Sequence, residues 1–264
     1  MRRAWHRAAL AVALGWALAA PAAHAGRTCQ AQAPDLDAVS RGLDLAARTA
    51  KALDDSGHQV VLIARAGQDL SAYQLRWSHL GLAYRDPQAG GAWRIAHKLN
   101  DCASAEAAIY RQGLGEFFLD QPHRYETAWV PLSPDLQARL LPVLRDDAAL
   151  ARLHERRYSL VAYPWATRYQ QSNQWAIETL AQAAAGATSR PQAQAWLQAQ
   201  GYQPTVLTLG PLTRLGARVG SANVAFDDHP NDQRFSDRIA TVTADSVFDW
   251  LARAGLAGPL RTLP

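Results

Sequence analysis

The 264-residue sequence predicts a single α+β domain. Three observations carry that expectation. Some segments repeat apolar residues at helical spacing, whereas others are short runs rich in β-branched residues. The two kinds follow one another without the strand–helix–strand alternation of a parallel sheet. No internal repeat, low-complexity tract or long linker interrupts residues 26–264, which suffice for one substantial core.

Taken in order, Leu36, Val39, Leu43, Ala46, Ala50 and Leu53 predict a helix over 34–54, ended at Gly57. Residues 60–64 form a short apolar run that reads as a buried strand. Residues 76–84 and 92–99 predict a hairpin across the turn-rich segment 86–91, which holds Asp86, Pro87, Gly90 and Gly91. Residues 104–112 read as helical, 126–131 as a strand, and 133–144 as a helix opened by Ser133-Pro134. A further strand is predicted over 159–163, and helices over 173–185 and 191–200. Strands over 205–209 and 239–243 and a closing helix over 244–254 complete the reading.

The N-terminus predicts export. Arg2, Arg3 and Arg7 form a positive region, the chain is apolar from Ala8 to Ala20, and Ala23-His24-Ala25 supplies the small residues of a cleavage site before Gly26. The apolar run is about a dozen residues, short of the roughly 20 that span a bilayer. The alternative is an uncleaved anchor; the residues before Cys29 do not form a lipobox. Residues 1–25 are therefore expected to be a signal peptide, and 26–264 a protein without a membrane span, periplasmic or secreted. The chain carries 27 Lys+Arg against 23 Asp+Glu, but three of the arginines lie in the leader and no acid does. The balance beyond residue 25 is nearly neutral, with no basic run, so no nucleic-acid partner is expected. Cys29 and Cys102 are the two cysteines, and in an oxidising compartment they are expected to pair.

The residues that could carry chemistry begin on the predicted hairpin. His79 and His97 sit on its two strands, each in phase with a Trp (Trp77, Trp93), so both imidazoles could point to one side. Such a pair suits a base with an orienting partner, a metal site, or ordinary structural hydrogen bonding. Next, Gln171-Ser172-Asn173-Gln174-Trp175 leads into a helix. A nucleophile gains there from positive potential and free N–H groups, while Ser172 or Asn173 would equally serve as a simple N-cap. Asp227-Asp228-His229-Pro230 offers carboxylates beside an imidazole, for a divalent ion or for a capped turn. Arg65 and Asp69 could line a cleft or pair with each other. Trp77, Trp93 and Trp175 could wall a pocket or simply pack the core.

Two resemblances add to this. Arg65-Ala66-Gly67-Gln68-Asp69-Leu70, Ser78-His79, His97-Lys98-Leu99-Asn100-Asp101-Cys102 and Gly113-Leu114-Gly115-Glu116-Phe117-Phe118 resemble a bacterial family known only as a domain of unknown function, number 2145. So do Ser172-Asn173-Gln174-Trp175, Arg214-Leu215-Gly216-Ala217 and Phe226-Asp227-Asp228-His229-Pro230. More distantly, a strand His before a small apolar stretch, a second His on the next strand, and then a polar helix start resemble the circularly permuted papain-like group. That group includes permuted NlpC/P60 proteins and lecithin:retinol acyltransferase-like enzymes. The resemblance implies an antiparallel sheet packed against helices, and hydrolysis or acyl transfer at an amide or ester bond. Ser172 would be the nucleophile, His79 the base and His97 its orienting partner. The group's nucleophile is a Cys, and Ser172 stands in its place, which demands a stronger base. The substrate implied is a cell-wall peptide or a lipid, with no cofactor. The two alternatives are a catalytically inactive binding or scaffold protein and a metal-dependent hydrolase using His79, His97 and Asp227 or His229.

Overall fold

The structure, a computed structural model, describes residues 35–102, 104–119 and 122–264. The predicted first helix is α1 (Leu36–Asp55). Asp35 caps it by accepting from the Asp37 N–H at 3.2 Å, and Leu45, Ala46 and Leu53 are buried. Next comes β1 (Val60–Ala66), buried along its whole length, as a strand covered on both faces must be. The predicted hairpin is β2 (His79–Asp86) and β3 (Ala92–Asn100), joined by a 3₁₀ turn with Gly90 and Gly91 at positive φ. After β4 (Ala107–Gly113), α2 (Leu114–Phe118), β5 (Arg124–Pro131), α3 (Pro134–Arg145) and α4 (Asp147–Ala151) follow α5 (Ser172–Ala185) and α6 (Arg190–Ala199). The chain ends with β6 (Thr205–Thr208), α7 (Pro211–Gly220), α8 (Asn231–Arg234), β7 (Arg238–Thr241), α9 (Ala244–Arg253) and β8 (Arg261–Leu263). Six strands make one antiparallel sheet, in the order β4-β3-β2-β1-β5-β8, and β6 pairs only with β7.

Alternation along the strands divides the core. Val61, Ile63, Ala83 and Ile95 face α1 and α2, where Leu45, Leu53, Phe117 and Phe118 cover them. Leu62, Leu80, Leu82 and Ala96 face the other way, onto a larger core built by Leu140 of α3, Trp175 and Leu180 of α5, Leu197 of α6 and Trp250 of α9. The α+β class is thus as the sequence predicts, in a single domain.

Three segments differ from expectation. Residues 104–112 are not helical: Asn100 pairs with Ala107 and Arg94 with Gly113 across β3 and β4, so sheet pairing overrides the local preference of an Ala-rich stretch. Residues 159–163 are not a strand. The Ser159 hydroxyl donates to the Ala225 carbonyl (2.9 Å) and the Leu160 N–H to the Asn223 carbonyl (2.8 Å), so a neighbouring loop satisfies this backbone. The first hairpin strand also starts later than expected, because the Asp245 carboxylate takes the N–H groups of Arg76 and Trp77, both at 3.2 Å. Helices α2, α4, α7 and α8 and strand β8 were not anticipated. The expected signal peptide and Cys29, hence the expected Cys29–Cys102 bridge, lie outside the described residues. Among the described residues no helix is long and apolar enough to cross a membrane.

Candidate functional site

The two histidines expected to converge do so. Leu82 pairs with Ala96 and Ala83 with Ile95, which sets His79 and His97 diagonally across β2 and β3 on the face shared with Ala83 and Ile95. His79 Nε2 lies 2.8 Å from His97 Nδ1, and His97 Nε2 lies 2.8 Å from Gln112 Oε1 on β4. The Gln112 carbonyl can only accept, so His97 Nε2 carries the proton and His97 Nδ1 is the bare nitrogen. His79 therefore donates through Nε2 and keeps its lone pair on Nδ1. Phe117 packs against both rings, at 5.9 Å from His79 and 5.4 Å from His97. Gly81 lies between the two strands' contributions to this face. A Cβ there would stand 2.4 Å from Ile95 Cγ2, so only glycine lets the face close.

This environment keeps both imidazoles neutral. Burial is the main cause; the Arg65 cation, which donates to the Phe117 carbonyl at 2.5 Å, adds to it. His97 is pushed down to about 3 despite the opposing bond to Gln112, and His79 falls well below the ordinary range. The Asp69 carboxylate accepts from the Ser71 N–H at 3.0 Å, and among the described residues no ion pair joins it to Arg65.

Ser172 sits at the start of α5, which packs on the opposite face of the sheet, against the Leu80 and Leu82 side. The helix entry is tied down on every side. Gln171 caps it by accepting from the Asn173 N–H at 2.9 Å, and its own amide donates to Thr241 (3.2 Å) and to the Val242 carbonyl. Asn173 accepts from the Leu80 N–H at 2.9 Å and donates to the Ser78 carbonyl at 3.4 Å, bracketing the backbone of His79. Gln174 donates to the carbonyls of Tyr163 and Pro164. Ser172 lies near the buried Tyr158 phenol, whose pKa burial raises while the Ser172 hydroxyl and N–H act to lower it. Among the described residues no hydrogen bond joins Ser172 to His79. The structure therefore brings His79 and His97 together and leaves Ser172 on the helix packed against the other face of the sheet.

The sequence reading missed a buried polar network behind this helix. Lys98 is fully buried and donates to the Glu155 carbonyl (2.6 Å) and to Gln170 Oε1 (2.9 Å). Glu178, also fully buried, binds Arg190 (2.8 Å), Gln194 (2.8 Å) and Gln170 (2.6 Å). A carboxylate inside the apolar run Trp175-Ala176-Ile177-Glu178-Thr179-Leu180 was the available signal, since a buried charge requires partners. Burial and the nearby Arg190 push the Lys98 amine down to about 7.

Asp227-Asp228-His229 forms a clamp between loops. Asp228 accepts from the Tyr163 N–H at 2.8 Å and lies 3.0 Å from His229 Nδ1, while His229 Nε2 reaches the Ala240 carbonyl at 3.0 Å. Asp227 pairs with Arg168 at 2.9 Å. Among the described residues no three His, Cys, Asp or Glu side chains gather where they could hold a metal ion. Trp93 and Trp175 are core residues, Trp93 donating to Asp54 at 2.7 Å.

Fold and site together define an α+β protein whose sheet carries a buried, neutral imidazole pair on one face and a Gln171-capped helix entry on the other. The chain belongs to the family described as "Uncharacterized protein conserved in bacteria (DUF2145)", whose match spans residues 52–251. No curated protein and no solved structure matches it.

Proposed function

We propose that this is an exported protein, periplasmic or secreted, that works by binding, on a frame of permuted papain-like type whose nucleophile position is closed. One observation carries this reading: the N-terminus of α5 is capped by Gln171 and packs on the sheet face opposite the two imidazoles. A serine nucleophile needs a base within hydrogen-bond reach and free N–H groups for the oxyanion. Here Gln171 takes the N–H of Asn173, and among the described residues no hydrogen bond joins Ser172 to His79 or His97. The papain-like frame is supported by His79 and His97 on neighbouring strands, hydrogen-bonded to each other with Gln112 as a third member. Export is supported by the charged, apolar and small-residue pattern over residues 1–25.

The test is labelling of the purified protein with a serine-directed fluorophosphonate near neutral pH, read by mass spectrometry, with Ser172→Ala as control. The expected result is no adduct on Ser172. An adduct that disappears in the control overturns the reading and favours acyl transfer or amide/ester hydrolysis by Ser172, His79 and His97. The metal-dependent alternative is checked on the same sample: near-stoichiometric metal after purification would support it.

A further inference from the structure

A cleft of about 440 Å³ lies between the segment after β1, the segment before β6, and α9. That volume falls within the roughly 300–1,000 Å³ usual for small-ligand sites. Leu75, Trp77, Pro204, Phe248 and Leu260 form the apolar part of a lining that is mostly polar. The wall is built: Asp245, in the first turn of α9, binds the backbone N–H groups of Arg76 and Trp77 and so fixes the Trp77 segment against the helix. Gln74, also on the wall, is the one non-glycine among the described residues held at positive φ (59°). Such conformations persist where the surroundings impose them, and they concentrate at ligand sites.

The cleft presents polar groups that the protein itself leaves unused. The side chain of Trp77 is largely buried, but its indole N–H is not itself buried and makes no hydrogen bond among the described residues, so it is open to the cleft. At the rim, Asp249 and Arg253 are exposed on successive turns of α9, and neither makes an ion pair or hydrogen bond among the described residues. Residues at this spacing hold their side chains about 5–6 Å apart at Cβ. The Gln74 and Gln203 carboxamides add groups that both donate and accept.

A ligand that satisfies all of these carries an acceptor for the indole, amide-like donors and acceptors for the glutamines, and a cation and an anion a short distance apart. We propose that this cleft binds a short zwitterionic peptide, its ammonium at Asp249, its carboxylate at Arg253, a backbone carbonyl at the Trp77 indole, and one apolar side chain against Phe248 and Leu260. This rests on the reading of the chain as a binding protein, but the two can fail separately, because labelling of Ser172 bears only on that reading.

The experiment is isothermal titration of the purified protein with dipeptides whose second residue runs from glycine to phenylalanine, and with their N-acetylated and C-amidated forms. Saturable binding that strengthens with the apolar side chain is expected. N-acetylation should weaken it about tenfold or more, as should C-amidation, because each removes a charge-assisted contact. In Asp249→Asn the N-acetyl penalty should vanish while the C-amide penalty remains, and Arg253→Gln should show the converse. Both positions are exposed, so neither variant threatens folding. Absence of saturable binding, equal binding of blocked and free peptides, or binding of a neutral disaccharide in preference to peptides would each overturn the proposal.

Discussion

Acidification should destabilise the protein through His97, by an amount that follows from its burial. His97 is fully buried, and its folded pKa is about 3 against an ordinary value of 6.5. The folded state therefore refuses a proton that the unfolded chain accepts below pH 6.5. Because the unfolded state binds more protons in this window, stability rises with pH there and is lost as pH falls from 6.5 toward 3. Between pH 6.5 and about 4.5 the loss from this one group is about 2 kcal/mol, from the 1.36 kcal/mol carried by each pKa unit. The perturbation that isolates it is His97→Asn. The carboxamide oxygen can still accept from His79 Nε2–H, but the side chain no longer titrates. Urea unfolding followed by circular dichroism at several pH values would give both stability curves. The wild type should lose about 2 kcal/mol more than the variant over this interval. Parallel curves would refute the reasoning and mean that His97 is protonated, or solvated, in the folded protein.

Other expectations are independent of this one. Lys98, with a folded pKa of about 7 against 10.5 unfolded, should make stability rise with pH between those values, and Lys98→Met should abolish that slope in urea titrations at pH near 7 and 10. Gly81→Ala should destabilise by about 1–3 kcal/mol, seen as a lower Tm, because the new methyl meets Ile95 where no space exists. Glu178→Ala should cost about 3–5 kcal/mol, since Arg190 would remain buried without its carboxylate; replacing Glu178 and Arg190 together by Met should recover most of that in the same unfolding assay.

Periodicity and alternation along the chain encode a large part of this fold. The 20-residue α1, the hairpin of β2 and β3, the helices α5 and α6, and the shared face of His79 and His97 are all local patterns, and the structure has them. The family was also legible, from segments such as Ser78-His79 and Phe226-Asp227-Asp228-His229-Pro230. Tertiary structure decided the rest, because the deciding contacts join residues far apart in the chain. Residues 107–113 became a strand only because β3 offers an open edge, whatever their helical propensity. Gln112, 15 residues beyond His97, sets the proton positions of the histidine pair. Ser172 could be read as a nucleophile or a cap until the helix docked. Docking then put α5 on the face opposite the imidazoles and bonded Asn173 to the backbone on either side of His79, a pairing that no spacing in the sequence reveals.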